Sequence, residues 1–255
     1  MRDRGLDLHP VARAPRFFVD VALRSGGSCL LPEDSAHHAI HVMRLRAGDP
    51  ITLFNGRGGE YAARIASVDK LRIAADLLRH DPVERESPLQ VTLLQGVSAG
   101  DRMDATVRKA VELGATAIQP LLAARSVARP KGERAELRRE HWQKVAIAAC
   151  EQCGRNRIPA VQPLIDAAAY RAAEGDASRK ILLSPRSALP FSQAVGKSAS
   201  DFTLAAGPEA GFSAEEEAAL AQAGFVPASL GPRVLRTETA ALAALAALNA
   251  LRGDF

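Results

Sequence analysis

Cysteine, aromatic residues and long apolar runs are all scarce in this chain of 255 residues. Three cysteines occur, Cys29, Cys150 and Cys153, an odd number without framework spacing; a disulfide-stapled secreted domain is therefore not expected and a reducing, cytoplasmic setting is. The charged amino terminus lacks the apolar core of a secretory signal. The longest apolar stretch, Thr239 to Leu251, has 13 residues where about 20 are needed to cross a bilayer, so no membrane span is expected. Also missing are a G-x-x-x-x-G-K-[ST] loop and a G-x-G-x-x-G at a strand-to-helix turn, which counts against nucleotide hydrolysis and dinucleotide chemistry.

What is present is an ordinary folding composition with uneven charge. Apolar residues make up 47% of the chain, enough for a chain this long to bury roughly 70–75% of its unfolded surface without staples. The net charge is only +4, yet between Arg125 and Arg157 nine basic residues face four acidic ones. That excess is the footprint of a nucleic-acid contact. Glu136 and Glu140 also lie among arginines at helical spacing, so part of the run reads equally as a solvated, salt-bridged face.

Two rhythms divide the chain. From Arg16 to Leu78, runs such as PRFFVDVAL and DPITLFNGRGGEYAARIASV alternate apolar and polar residues around Asn55-Gly56 and Gly58-Gly59, the pattern of hairpins in a small β-barrel. HDPVERESP, His80 to Pro88, reads as a linker, giving domains at 1–80 and 88–255. Beyond it LQVTLLQGV, DRMDATVRKAVELG, AIQPLLA, ILLSP and FTLAAGP alternate strand and helix, which predicts an α/β domain with a largely parallel sheet. Gly114 closes the first of its helices.

Four motifs invite chemistry. Cys150-x-x-Cys153 has only Cys29 as a further thiol and ends a helix at Gly154, so neither zinc nor a thioredoxin-like site is expected; a thiol oxidoreductase stays as a rival. His37 and His41 lie four apart, but no carboxylate completes a metal motif; HHAIHVMRLRAGD reads as a short helix with Val42, Met43 and Leu45 partly buried, and Arg44 and Arg46 as RNA contacts. GPEAGFSAEEEAAL places glycine and proline just after an apolar strand, a ligand loop at a sheet's carboxyl edge, and Ser213 with Glu216 forms a capping box. Its acid-crowded helix start disfavours phosphate and favours a neutral or cationic ligand. LGPRVLRTETAALAAL bends at glycine and proline, sets Arg233, Arg236 and Glu238 around the capping candidate Thr237, and continues as a helix apolar on every side. Such a helix should be buried all round, and a dimer interface is one way to achieve that.

PRFFV, HAIHVMRLRAGD, LLQGVSAGDRMDATVRKAVELGA, IQPLLAARSV, ACEQCGRNRIP, GPEAGF and LGPRVLRTETA, in this order, resemble the blocks of the RsmE-type 16S rRNA uridine-N3 methyltransferases of the SPOUT superfamily. Two departures stand out: Ala210 where the family usually has glycine, and Cys153 where it often has serine. The resemblance implies a PUA-like RNA-binding barrel followed by a trefoil-knotted α/β domain that dimerises, binds S-adenosylmethionine and needs no metal. It implies cofactor contacts at Leu183, Ser184, Pro185, Gly207, Pro208, Glu209, Gly211, Leu230, Gly231, Leu235, Arg236, Thr237 and Thr239. Arg236 is expected to hold the uracil oxygens, with Arg233, and Glu209 or Glu238 to take the N3 proton or position the cofactor. Arg16, Arg44, Arg46, Arg125, Arg155, Asn156 and Arg157 are expected to grip RNA of the small ribosomal subunit. A knotted methyltransferase acting on another rRNA or on tRNA, and an RNA-binding module without catalysis, remain alternatives.

Overall fold

The computed structural model describes residues 14–255 apart from Leu71, Ala128 and Glu174. The chain folds as two compact units, the first extending to Arg85 and taking in Gly154–Arg157, the second comprising Glu86–Cys153 and Ile158–Phe255.

In the first unit, strands β1 (Arg16–Phe18), β2 (Ser28–Leu30), β3 (Pro50–Phe54), β4 (Glu60–Asp69) and β5 (Arg72–Asp81) form one sheet in the order β1-β3-β4-β5-β2, with helix α1 (Glu33–His41) between β2 and β3. β1 runs parallel to β3 and the other pairs are antiparallel. Period-two alternation sends Ala63 and Ile65 of β4 and Ile73, Ala75 and Leu77 of β5 to one side, where Phe17, Val19, Ile51, Leu53 and the helix residues Ala36 and Ala39 complete the core. Register shifts at Ala62/Ala63 and Ile65/Ser67 bend the long hairpin, as extra residues in one strand do. The expected β3–β4 turn is present, and its glycines are needed: Gly59 has φ +67° and a Cβ there would lie 2.8 Å from the Asp81 carbonyl.

Two expectations are revised here. β5 continues through His80 and Asp81, paired with Tyr61 and Glu60, so the stretch assigned to a linker begins inside a strand. Backbone pairing and the Tyr61–His80 ring contact, 4.7 Å between centroids, outweigh the polar composition. Val42 and Met43 are exposed rather than partly buried, because α1 ends at His41 and turns only Ala36 and Ala39 inward.

Arg16 is also differently placed from the RNA-facing position expected of it. It is 7% exposed, lies over the Phe54 ring at 4.8 Å, forms an ion pair with Glu60, and donates to Asn156 Oδ1 (2.7 Å) and the Arg155 carbonyl (3.2 Å). Asn156, fully buried, donates in turn to the Val83 carbonyl at 2.8 Å, and Arg155 is 4% exposed. These three residues are interior groups of the unit, out of reach of a polyanion on its surface. Arg85 adds a second guanidinium to Glu60 at 2.9 Å and donates to the Gly154 carbonyl at 3.0 Å.

The second unit contains β6 (Gln90–Gly96), α2 (Arg102–Glu112), β7 (Ala117–Leu122), α3 (Glu133–Cys153), β8 (Ala160–Val161), β9 (Ile165–Asp166), β10 (Arg179–Leu183), α4 (Phe191–Val195), β11 (Asp201–Ala206), α5 (Ala214–Gln222), β12 (Val226–Ala228) and α6 (Thr237–Arg252). Its sheet runs β12-β10-β11-β6-β7-β8, with β9 also beside β7, and every pair is parallel. Parallel strands need both faces covered, which accounts for their uninterrupted apolar sequences. Leu93, Leu204 and Ile181 are in register across three strands, and Leu94, Ala205 and Leu182 form the next row, facing the other way into a core with Phe212, Leu220 and Phe225. α6 packs on α2 and β11. It buries Ala241, Ala244, Leu245, Leu248 and Asn249, whereas Leu242, Ala243, Ala246 and Ala247 are half-buried and Leu251 is 49% exposed. The helix expected to be buried all round is thus covered on one face. No helix among the described residues is long and apolar enough to cross a membrane.

Burial would push the Glu60 carboxyl up, but hydrogen bonds and charge from Arg85 and Arg16 outweigh it and hold the group below its usual value. A carboxylate depressed in the folded state stabilises it fully above the unfolded value, about 4.3, and loses that contribution as pH falls through the lower folded value. Glu60→Gln is expected to lower the first unit's stability by ~1–3 kcal/mol at neutral pH. Below about pH 4 the difference from the parent should shrink. Hydrogen exchange of β4 and β5 amides across that range checks both.

Candidate active site

The order of the second sheet fixes where a ligand can sit. From β6 the chain proceeds to β7 on one side, while from β11 it proceeds through α5 to β12 on the other. The loops leaving β6 and β11 therefore diverge at their carboxyl ends, the switch point where open α/β sheets bind ligands. A cleft of about 600 Å³ lies in this region.

Three loops build it, each following one of the adjacent strands β10, β11 and β12. After β10, the Ser184 N–H continues the strand pairing to the Ala228 carbonyl at 2.9 Å, placing Leu183 to Arg186 on the cleft wall. After β11, Gly207 to Phe212 turn tightly, Gly211 donating to the Pro208 carbonyl at 2.8 Å with φ +70°. After β12, Val234 to Glu238 enter α6 along the opposite wall. At the base, Gly96 ends β6 against the second loop: a Cβ there would sit within 2.8 Å of the Gly207 carbonyl carbon and closer still to Pro208 N. A side chain at 96 would displace the loop that forms the cleft.

Thr237 joins the second and third of these loops to β6. Its hydroxyl donates to the Gly207 carbonyl and accepts from Gln95 Nε2 at 3.0 Å. The residue expected to cap α6 with its hydroxyl instead follows the N-cap, Arg236, and its oxygen is used across the fold. The S-x-x-E capping box of α5 is present as expected, and Glu216, 4% exposed, reaches beyond it to accept from the Ala124 N–H at 2.7 Å.

Carboxylates around the cleft fall into two kinds. Glu209 Oε1 accepts from Arg102 at 2.7 Å and from the Ala99 N–H at 3.0 Å, tying the β11 loop to the start of α2. Glu217 pairs with Arg186 at 2.6 Å. Glu238 differs: its Oε2 is buried and has no hydrogen-bond partner among the described residues. A carboxylate oxygen in that state calls for a donor or cation from a ligand. Gln95 Oε1, fully buried beneath Thr237, is likewise unpartnered.

Of the residues named from sequence, Leu183, Ser184, Pro185, Gly207, Pro208, Glu209, Gly211, Leu235, Arg236, Thr237 and Glu238 line this cleft. Leu230 and Arg233 line a small adjoining space of about 40 Å³, while Gly231 and Thr239 border neither. Arg125 stands at the cleft, exposed and donating to the Ala210 carbonyl at 3.3 Å. Arg44, Arg46 and Arg157 are exposed on the first unit, Arg157 lying 3.6 Å from Glu84. Sequence reasoning missed Arg102 and Gln95. A lone amide within the apolar run LLQGV was the available signal for Gln95; Arg102 reads as an ordinary first-turn residue until its partner is known. Cys150 is buried in α3, Cys153 is half-buried at its end, and the pair holds no disulfide. No cluster of three or more metal-ligating side chains occurs among the described residues.

Comparison with known proteins decides the family. Residues 85–249 match the model of the RNA methyltransferase domain, and residues 31–78 that of the RNA methyltransferase PUA domain. The chain belongs to the RNA methyltransferase family. Over 256 aligned residues it is 32% identical to the ribosomal RNA small subunit methyltransferase E of Bacillus subtilis, covering 94% of this chain and 99% of that one. The corresponding enzyme of Neisseria gonorrhoeae, crystallised with S-adenosyl methionine, superposes with a TM-score of 0.87 at 40% identity over 95% of this chain and all of that one. A Legionella pneumophila methyltransferase solved with the same cofactor gives 0.89 at 36% identity over 95% of this chain and all of that one. The second unit of this RNA methyltransferase is accordingly a SPOUT domain and the first a PUA-like barrel.

Thr237→Val keeps the volume but removes the donor to the Gly207 carbonyl and one of the two acceptors of the Gln95 amide, the other being the Gly96 carbonyl, at a cost of ~1–3 kcal/mol. Thr237→Ser, which retains the hydroxyl, should recover most of that. Thermal unfolding of the two variants, alongside calorimetric titration of the cofactor, distinguishes a structural tie from a mere cap; a cap alone would lose less than the full range and leave cofactor affinity as in the parent.

Proposed function

We propose that this methyltransferase transfers a methyl group from S-adenosylmethionine to N3 of a uridine in 16S rRNA of the small ribosomal subunit, acting as a cytoplasmic homodimer. The observation that carries the reading is the cleft itself: three backbone loops around a Glu238 oxygen that has no hydrogen-bond partner among the described residues. Its donors and acceptors fit a sulfonium-bearing, phosphate-free cofactor. Leu183 to Pro185, Gly207 to Gly211 and Leu235 to Thr237 would hold it. When bound, S-adenosylmethionine supplies an electrophilic methyl carbon.

The chain's own residues have two tasks. As the bond from N3 to the methyl carbon forms and the carbon–sulfur bond breaks, the N3 proton must leave and negative charge develops on the uracil oxygens. Arg236, at the N-cap of α6 and lining the cleft, donates to those oxygens. Glu238, two residues further into α6 with an unpartnered oxygen, accepts the proton or orients the donor groups of the cofactor. Glu209 is already bonded to Arg102 and Ala99 and serves as a brace for the loop. Arg125 at the cleft, and Arg44, Arg46 and Arg157 on the barrel, offer charge to the RNA backbone. The half-covered apolar face of α6 supports dimerisation through that helix.

The experiment is methyl transfer from labelled cofactor to small-subunit particles of a strain lacking the enzyme, followed by nucleoside analysis for 3-methyluridine. Arg236→Ala should lower kcat by about 10²–10³-fold while the cofactor Kd stays near the parent's. A folded, cofactor-binding Arg236→Ala protein that works at parental rate would remove the arginine from this role. Label recovered in any other nucleoside would replace the substrate.

A further inference from the structure

We infer that a second groove in the SPOUT domain, lined by Arg129, Arg134, Arg138 and His141, binds the phosphodiester backbone of the substrate RNA next to the nucleotide being methylated. This rests on the RNA-methylating function proposed above and names a contact surface beyond it.

The groove encloses about 620 Å³ and is walled by the loop after β6, by Arg129 and Pro130, and by one face of α3. Along that face stand Arg134, Leu137, Arg138 and His141, at positions i, i+3, i+4 and i+7, the spacing that stacks side chains on one side of a helix. Among the described residues no acidic side chain lines the space. The acids of α3 are elsewhere: Glu136 pairs with Arg139, away from the groove. Arg134 and Arg138 are exposed and make no hydrogen bond or ion pair among the described residues. Two guanidiniums held one turn apart repel each other, which a bound anion would reverse.

Fixed geometry accompanies the charge. Asp104 of α2 bonds His141 Nε2 at 2.7 Å and accepts from Trp142 Nε1 at 3.1 Å, so the far end of the stripe is anchored. Arg129 is only loosely engaged, 3.8 Å from Asp166 and 3.3 Å from the Ala124 carbonyl. Leu137, 58% exposed amid the arginines, offers apolar contact to a ribose or base. A chain of phosphates with intervening apolar faces matches this alternation; a simple counter-ion has no use for the leucine.

Location ties the groove to the chemistry. Val97, Ser98 and Gly100 wall it, while Ala99 and Arg102 of the same loop hold Glu209 at the cofactor cleft. Groove and cleft are the two sides of one loop, so a backbone lying in the first leads into the second. A second copy of this chain is a poorer occupant, because a chain of net charge +4 has no general attraction for four basic groups.

The test is Arg134→Gln/Arg138→Gln in the full chain, measured for affinity to small-subunit rRNA against salt, for cofactor Kd, and for KM and kcat. The expected result is RNA affinity and KM weakened by about tenfold, cofactor Kd unchanged, and a log–log salt slope shallower by about 1.4–1.8, two phosphates' worth of released counterions. Arg134→Lys/Arg138→Lys should retain most of the slope. Should the double variant fold poorly, Arg138→Gln alone is expected to move the slope in the same direction by about half. Parental RNA affinity and slope in a folded double variant, with the parent methylating normally, would overturn the inference and leave the proposed function standing. A shift in the monomer–dimer balance on light scattering without loss of RNA affinity would overturn it too, assigning the groove to a second copy. If the parent neither binds nor methylates small-subunit particles, the proposed function falls, and this inference with it.

Discussion

Two of the loops that line the cleft of the SPOUT domain, those after β11 and β12, meet through the hydroxyl of Thr237. The β10 loop is held by backbone bonds to the β12 loop, Ser184 to Ala228 and Ser229 to Leu189, and the β11 loop needs a tie of its own. One oxygen supplies the link, donating to the Gly207 carbonyl while receiving the Gln95 amide. Gln95 lies in the interior, where a polar group without its partner is far costlier than at the surface. Gly96 contributes the space: only a residue without a Cβ lets the end of β6 approach Pro208 so closely. Once Thr237 is fixed, α6 begins in a defined place, and Leu245 and Leu248, fully buried, secure the rest of it with about 1.5–3 kcal/mol apiece.

Most of the carboxylates around this junction are committed to partners within the protein. Four glutamates stand close to it, and three are matched: Glu209 by Arg102, Glu217 by Arg186, and Glu216 by backbone donors at Ala124 and Ser213. Each matched group holds one segment to another, and its charge is balanced within the protein. Glu238 keeps an oxygen in reserve. The lining is thus paired at Glu209 and Glu217, and leaves Glu238 together with Arg125 and Arg236 to meet a ligand.

What could be read from the sequence was whatever is local. Continuous apolar runs marked the parallel strands, and Ser213 with Glu216, three apart, marked a cap that the structure contains. Arg16 shows the limit: a lone arginine beside a strand looks available to RNA, and nothing nearby reveals Glu60, 44 residues on, or Asn156, 140 residues on. Thr237 shows a subtler one. A threonine at the start of a helix has the same local signature whether it caps or reaches across the fold, and only the position of Gly207 decides. Arg102 was hidden for the same reason, its partner Glu209 lying 107 residues away. Family resemblance located the loops without supplying these bonds, since similar blocks imply where backbone goes and not which side chain holds it.

The basic run from Arg125 to Arg157 carries this point further, because the fold divides it among different faces and different units. Counted along the chain, nine cations and four anions are one patch. Wound at 3.6 residues per turn, α3 separates them: Glu136 and Arg139 neutralise each other on one side, and Arg134, Arg138 and His141 collect on another. Beyond Cys153 the chain passes to the barrel, where Arg155 is buried. Charge along a sequence therefore overstates some contacts and conceals others. What attracts a polyanion is the density on one helix face after internal pairs are removed, and on α3 that remainder of charge is concentrated where the loop of the cofactor cleft forms the opposite wall.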